Sequence, residues 1–339
     1  MKHALLFILF TFLILSCKKE KSFERFIPKK IDVAWMSSLM EQYSDIDIKF
    51  SDLCLPGSHD AGVYMLRKCS FGANVCNTQT QHLNMQKQLE AGYRIFDVRP
   101  MFLGGEYYAH HTTECGGLGC QGDFMKNIFQ FANEFLENHT EVVVLSFGHF
   151  CNMKPDDADF LKMIEDILGD KIYKETERVD YFYDWSLKKI LGENPKQGKV
   201  ILLFDGVSNT DENRQKGYFS ERILSAVGGW SNKNVYSVLK EDQLSGYNNY
   251  EPRHPNLFQF SWQMTQETAQ AIACAVGGQS GSILSMSKES NPDFQITIDS
   301  MVQSGAIHPG KYPHIFWLDY GDEWMIDIAK KVSEIGLHK

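Results

Sequence analysis

Three runs in this chain, Val142-Val-Val-Leu145, Val200-Ile-Leu-Leu-Phe204 and Ile315-Phe-Trp-Leu318, are apolar at every position. A strand with one wet face alternates polar and apolar residues. A strand apolar throughout is buried on both faces, as in parallel sheets covered by helices. Further apolar or β-branched runs predict strands at 53–56, 93–98, 106–110, 234–238 and 257–262, and place the three above at 141–147, 198–204 and 314–319. Helical spacing fills the gaps at 81–91, 122–138, 157–168, 213–226, 265–276 and 322–336. Within 122–138 the residues Phe124, Ile128, Phe131, Phe135 and Leu136 form one apolar stripe. Such alternation predicts a mostly parallel sheet with helical crossovers. About eight strands in one domain favour a single α/β unit, a (β/α)8 TIM-type barrel, distorted or incomplete, over an open doubly wound sheet. No Gly-x-Gly-x-x-Gly or phosphate loop follows the first strand, which argues against dinucleotide binding.

The N-terminus reads as a targeting segment. Lys2 and His3 precede an apolar stretch from Ala4 to Leu15, and Ile14-Leu-Ser-Cys17 has the form of a lipobox. The stretch is short for a membrane span. The expected organisation is a lipoprotein signal peptide over 1–16, a lipidated tether and lead-in over 17–40 beginning at Cys17, and a barrel over 41–339. Acyl chains on Cys17 would hold the protein to a bacterial membrane outside the cytoplasm, each buried methylene contributing about 0.8 kcal/mol.

A hydrophobic fraction of 43% with 13% aromatics predicts a packed globular domain. The net charge of −9 argues against nucleic acid as a partner. Beyond Cys17 stand Cys54, Cys69, Cys76, Cys115, Cys120, Cys151 and Cys274. In an exported protein some of these pair, the local candidates being Cys69 with Cys76 and Cys115 with Cys120, and the odd count leaves at least one free thiol. Cys115-Gly-Gly-Leu-Gly-Cys120 beside His110 and His111 is a weak zinc signal, and no metal is expected there.

The polar residues of interest are placed at predicted strand ends, where barrel enzymes keep their chemistry. His59 and Asp60 follow the first strand, Asp97 and Arg99 the second, His111 the third, and Asp319 the last. Singly each has an ordinary reading: a lone histidine is usually a core or surface residue, and Asp97 with Arg99 could be a structural ion pair. Their joint placement favours one site.

Leu55-Pro-Gly-Ser-His-Asp-Ala-Gly62 resembles the opening motif of the phosphatidylinositol-specific phospholipase C X domain. Gln88-Leu-Glu-Ala-Gly-Tyr-Arg-Ile-Phe-Asp-Val-Arg99 is similar to that family's second strand, and Ala109-His-His111 to the segment of its second catalytic histidine. Phe131 to Leu145 is similar to the helix and strand that follow, and Trp35-Met36 to a lead-in helix. The likeness is tight over 50–150, returns at 312–324 and is faint over 155–310.

The resemblance implies a phosphodiesterase that splits phosphatidylinositol-type lipids into diacylglycerol and inositol 1,2-cyclic phosphate. It implies His59 as base on the inositol 2-hydroxyl with Asp319 behind it, and His111 as acid for the leaving oxygen with Asp60 in support. Arg99 would hold the phosphate and Asp97 would hold Arg99. An arginine at 99, where calcium-dependent members carry acids, implies no cofactor and no metal requirement. The implied partners are a phosphoinositide or glycosyl-inositol lipid and a membrane surface reached through the N-terminal lipid, the protein being a monomer. Three departures put the head group in question. Thr112-Thr-Glu-Cys follows His111, where a glycine is usual; Gly148-His149-Phe150 replaces lysines; and Asp205 stands where an arginine is usual. His149, Asp205 and Asp242 are candidate substrate contacts. Tyr247 and Trp262 are conceivable sugar contacts, though aromatics in such a chain more often pack. The alternative readings are a metal-dependent barrel of the glycerophosphodiesterase or sphingomyelinase D type, or an inactive X domain that binds surface lipid or sugar.

Overall fold

The computed structural model describes residues 31–338 apart from 179, 194, 279 and 280. The expected signal peptide and Cys17 lie outside the described residues. The strands are β1 (Leu55–Ser58), β2 (Ile95–Val98), β3 (Pro100–Leu103), β4 (Glu106–Thr112), β5 (Gly119–Phe124), β6 (Val142–Phe147), β7 (Lys199–Phe204), β8 (Tyr218–Ser220), β9 (Ala226–Val227), β10 (Leu257–Ser261) and β11 (Ile315–Leu318). The helices are α1 (Trp35–Gln42), α2 (Val75–Thr78), α3 (Met85–Glu90), α4 (Met125–Asn138), α5 (Ala158–Leu168), α6 (Leu187–Leu191), α7 (Asp211–Lys216), α8 (Tyr236–Asn249), α9 (Thr268–Ala275), α10 (Ile283–Gln303) and α11 (Trp324–Leu337).

Eight parallel strands form one curled sheet in the order β8-β7-β6-β2-β1-β11-β10-β9, and β3-β4-β5 make a separate antiparallel sheet. The expected α/β barrel is therefore present and incomplete, because among the described residues no ladder joins β8 to β9. The cause is chain length. A parallel neighbour is reached only through a crossover of a dozen or more residues, and residues 221–225 provide only a short 3-10 turn.

One expected strand is corrected: 234–238 enters helix α8. The strand expected at 106–110 is present as β4, but in the antiparallel sheet. The two strands that complete the count are β8, inside the expected helix 213–226, and β9, which begins at its last residue; of that stretch only 213–216, in α7, is α-helical. Strands of three and two residues are too short to show a period. Helix α10 was not anticipated; Pro292 interrupts its sequence pattern.

Along each long strand one face carries a gradient. Inward positions run Ile95, Asp97, Arg99 on β2 and Ile201, Leu203, Asp205 on β7. On β11 they run Ile315, Trp317, Asp319. The lower positions pack with Leu55, Val142, Val144 and Leu257 around Trp185, Phe182 and Phe50. The opposite face of the same strands, including Val143, Leu145, Phe147, Leu202 and Leu318, packs on α4, α5 and α11. Alternation thus serves two cores, and each inward row ends in a polar group at the strand's C-terminal end.

One buried ion pair fastens the lead-in to the barrel. Arg94 Nε lies 2.8 Å from Glu141 Oε2, both side chains fully buried. Arg94 also donates to the carbonyls of Leu89, Tyr93 and Val33. Glu141 accepts from the backbone N–H of Ser37 at 2.8 Å and Met36 at 3.3 Å. Trp35, fully buried, donates to Gly92 O at 3.0 Å. Residues 31–40 are accordingly part of the folded unit that begins at Ile31.

Removing one partner of such a pair leaves an uncompensated buried charge, at a cost of about 3–5 kcal/mol. Glu141→Gln should lower unfolding free energy by about 3 kcal/mol, and Arg94→Met with Glu141→Met should cost less than the two single changes summed. Urea unfolding curves check this; strict additivity would show that the pair is not coupled.

Candidate active site

The open mouth of the sheet at the strands' C-terminal ends is a cleft of about 610 Å³. His59, Asp97, Arg99, His111 and Asp319 line it. Asp60 lies directly beneath, its side chain fully buried.

His59 leaves β1 with its N–H on Leu318 O at 3.3 Å, which ties it to β11. Its Nδ1 is 2.8 Å from Asp319 Oδ1, so the ring donates there and turns Nε2 to the cleft. Gln81 holds the turn from below, donating to His59 O at 2.7 Å and Leu318 O at 3.1 Å. Asp60 adopts a left-handed backbone (φ 46°), which lets the chain fold back so that Ala61 N reaches Asp97 O at 2.8 Å.

Arg99 sits among the acids. Its Nε is 2.6 Å from Asp60 Oδ1, and its Nη2 is 2.9 Å from Asp97 Oδ2 and 3.0 Å from His59 Nε2. The carboxylate of Asp60 makes no hydrogen bond in this geometry. Its charge is balanced by Arg99 and by two imidazoles, His59 Nε2 at 3.5 Å and His111 Nε2 at 3.8 Å. Asp60 therefore stands between both histidines and not beside His111 alone.

His111 does not close a barrel strand as expected. It lies in β4, and the antiparallel sheet brings it over the mouth. Its Nδ1 donates to Thr78 O at 2.8 Å, which presents Nε2 to the cleft. Its neighbour faces the other way: His110, nearly fully buried, has Nε2 2.9 Å from His149 O and Nδ1 3.0 Å from Thr112 Oγ1. The doublet divides into one ring for the cleft and one that joins the hairpin to the loop after β6.

The electrostatics follow from this crowding. Burial alone would lower the pKa of His59, but the Asp60 and Asp319 carboxylates outweigh it and raise the ring to about 9. Burial would raise Asp60, yet Arg99 and the two cleft histidines hold it down at about 2. Burial pushes Asp319 upward while His59 pulls against it. Burial would also weaken the Arg99 charge, and Asp60 and Asp97 more than restore it.

His59, Asp60 and Asp97 offer donor atoms within 4.8 Å of one another, enough for a cation. Arg99 already lies against all three, so its guanidinium supplies the positive charge there. The weak zinc signal at Cys115 and Cys120 is excluded by their bonding. Cys115 pairs with Cys151, Cys120 with Cys69, and Cys76 with Cys274, while Cys54 is free and buried. The local pairings Cys69–Cys76 and Cys115–Cys120 are thus corrected. Cys69 and Cys120 face each other across an antiparallel bridge, with Cα atoms 4.0 Å apart, a proximity made by the fold.

Of the candidate substrate contacts, His149 and Asp205 line the cleft and Asp242 does not. Asp242 is exposed in the middle of α8, because 234–238 begins a helix and leaves no strand end there. Tyr247 is buried, its hydroxyl on Lys311 O at 2.9 Å, and Trp262 is buried with Nε1 on Ser290 O at 3.1 Å; both pack. Ser146, Trp317 and Glu221 were missed. Ser146 and Trp317 are inward positions of β6 and β11, found by counting back two residues from Gly148 and Asp319. Glu221 follows β8 and carried no signal; burial, then Asp205 and Asp97, raise its pKa.

No protein-family profile matches the chain. Among curated proteins, it is 29% identical to a PI-PLC X domain-containing protein 3 of Homo sapiens, over 61% of this chain and 78% of that one. It is 30% identical to human PI-PLC X domain-containing protein 1 over 44% of this chain and 53% of that one. A PI-PLC X-box domain-containing protein of Dictyostelium discoideum is 29% identical over 39% of this chain and only 19% of that longer protein. Among solved structures, phosphatidylinositol-specific phospholipase C from Listeria monocytogenes superposes with TM-score 0.60 at 16% identity, covering 89% of this chain and 98% of that one. The Staphylococcus aureus enzyme superposes with TM-score 0.59 at 16% identity, covering 89% and 97%. At that identity the structures share the fold. The curated relatives and the motifs at 53–62, 88–99 and 109–111 make this chain similar to the phosphatidylinositol-specific phospholipase C X-domain family.

Proposed function

We propose that the protein is a phosphodiesterase that cleaves phosphatidylinositol-type lipids to diacylglycerol and inositol 1,2-cyclic phosphate without a metal ion. The observation that carries this reading is the pair of imidazoles whose Nδ1 atoms are tied back, to Asp319 and to the Thr78 carbonyl, leaving both Nε2 atoms over one buried carboxylate, with Arg99 against that carboxylate and His59. His59 Nε2 takes the proton of the inositol 2-hydroxyl as that oxygen attacks phosphorus. The phosphorus–glycerol oxygen bond breaks, and His111 Nε2 gives its proton to the departing oxygen. Attack from a neighbouring hydroxyl is favoured by proximity. Arg99 is fixed by Asp60 and Asp97 and meets the non-bridging phosphate oxygens. The guanidinium against Asp60 and Asp97 supports this over the metal-dependent alternatives, and the intact acid–base set supports it over an inactive binding domain. We further propose the lipid anchor at Cys17 and a location outside the cytoplasm. Three disulfides support an oxidising compartment.

The two histidines should separate by leaving group. Replacing either by alanine should slow cleavage of the lipid substrate by about 10²–10⁴-fold. On an inositol phosphodiester whose leaving group is an acidic phenol, His111→Ala should recover most activity, whereas His59→Ala should not. Equal losses on both substrates would remove the assigned division of roles.

The base must be neutral to act, and its pKa in the free enzyme is raised to about 9. kcat/KM should therefore rise with pH through this range, with little of the base form present at neutrality. Asp319→Asn takes away one carboxylate that stabilises the protonated ring, so the rising limb should move to lower pH while its plateau falls. A limb that stays in place would show that Asp319 does not set the proton affinity of His59.

With Arg99 as the local cation, dialysis against EDTA should leave the rate within about twofold. A strong loss reversed by calcium would transfer the charge-neutralising role to a metal.

A further inference from the structure

The buried histidine of β4 takes part in no step of the proposed reaction, yet it joins three parts of the site. The backbone N–H of His110 donates to Arg99 O at 3.0 Å. Its ring Nε2 lies 2.9 Å from His149 O, and its Nδ1 lies 3.0 Å from Thr112 Oγ1. One residue thus touches the backbone of the phosphate-holding arginine, the loop that carries a candidate substrate contact, and the residue that follows the acid His111. These contacts sit where the ladders around β4 give out. Its pairing with β3 ends at Pro100 opposite Ala109, and its register against β5 shifts between Tyr108 and His110. Irregularities of this kind re-aim a side chain.

The ring reaches past β3 to the next segment of chain. β3 lies between β4 and the loop after β6, because Cys151 N donates to Pro100 O at 2.9 Å and Phe102 N to Cys151 O at 3.0 Å. That loop is a firm support. His149 holds a left-handed backbone (φ 51°), and Cys151 is buried and bonded to Cys115. The end of the hairpin is therefore held to the loop twice. Cys115 ties the connection between β4 and β5, whereas His110 adjoins the acid itself. The Thr78 carbonyl decides which nitrogen of His111 faces the cleft. It does not decide how far across the mouth the strand lies.

The partners of the His110 ring fix its chemical state. Nε2 faces a carbonyl and so carries a proton, and in the uncharged ring Nδ1 then accepts from the Thr112 hydroxyl. Burial keeps the ring uncharged: it lowers the pKa, and the His149 carbonyl and Asp60 do not make up the difference. With both nitrogens engaged inside the protein, the ring has none to offer a substrate. What remains for it is to hold the strand in place.

We propose that His110 is a positioning residue for the acid step: by tying the strand of His111 across β3 to the His149 carbonyl, it holds His111 Nε2 where the leaving oxygen departs. This rests on the acid role given to His111 above. The test compares His110→Leu, which loses the tie, with His110→Gln, whose amide nitrogen stands in for Nε2 at the same carbonyl. Misplacing a reacting group by about 1 Å costs on the order of 100-fold, so His110→Leu should slow kcat on phosphatidylinositol by about that factor with KM within about threefold. His110→Gln should recover most of the loss. On the inositol phosphodiester whose leaving group is an acidic phenol, which needs no acid, His110→Leu should stay within about threefold of the parent. Added to His111→Ala, it should bring no further loss on the lipid substrate. Equal losses on both substrates, or losses that multiply in the double variant, would overturn the proposal and leave His110 as packing. A second readout needs no turnover. In the full chain carrying isotope-labelled histidine, the His111 ring signal, identified by its absence in His111→Ala, should broaden or split in His110→Leu. It should be single and sharp again in His110→Gln, with the His59 signal sharp throughout. A His111 signal that stays single and sharp in His110→Leu would overturn the proposal whatever the rates. A broadened signal in a protein that turns over no inositol phosphodiester would leave the tie standing and count against the catalytic reading alone.

Discussion

A buried carboxylate whose charge is met by one guanidinium and two imidazoles is the constraint on which the site is built. Asp60 sits under the mouth of the sheet in a left-handed turn, and its charge is held by Arg99 at 2.6 Å and by two imidazole nitrogens within 3.8 Å. Isolating an ion from water costs several kcal/mol. The carboxylate therefore requires the guanidinium and draws both histidines toward itself. The same charge helps raise the proton affinity of His59 and fixes Arg99 where a phosphate would meet it. Removing Asp60 would accordingly alter the positions of three other groups at once.

The scaffold that allows this is the gradient along the inward strand faces. Aliphatic residues at the lower positions pack around Trp185 and Phe182, and polar groups two or four residues further along arrive at the mouth. The antiparallel β3-β4-β5 sheet adds what the barrel strands do not provide, laying His111 across the opening from the side. The gap between β8 and β9 widens the mouth, and Asp205 and Glu221 stand on that side. Asp205 and Glu221 make that side of the cleft acidic. Under the proposed function, such a wall would disfavour head groups that carry added phosphates.

Much of this was legible in the sequence because period-two patterning and strand ends are local properties. His59, Asp97, Arg99 and Asp319 were located by counting along apolar runs, and all face the cleft. What was not legible depends on the third dimension. Strands β8 and β9 are too short to show a period, and the strand expected at 234–238, before Asp242, opens a helix. The cysteines nearest in sequence do not pair; Cys76 reaches Cys274 because α2 and α9 pack together. Gln81 and Thr78, which position the two histidines, bear on them through backbone carbonyls and side-chain amides that no spacing rule marks.

The central proposal is attack by the substrate's own hydroxyl between two histidines. Phosphorus NMR of the products formed from phosphatidylinositol tests it most directly. The geometry predicts a five-membered cyclic phosphodiester signal from the first time points, with any acyclic inositol phosphate appearing only later. An acyclic monoester formed at once, with no cyclic species before it, would mean that water and not the 2-hydroxyl is the nucleophile, and would contradict the roles given to His59 and His111.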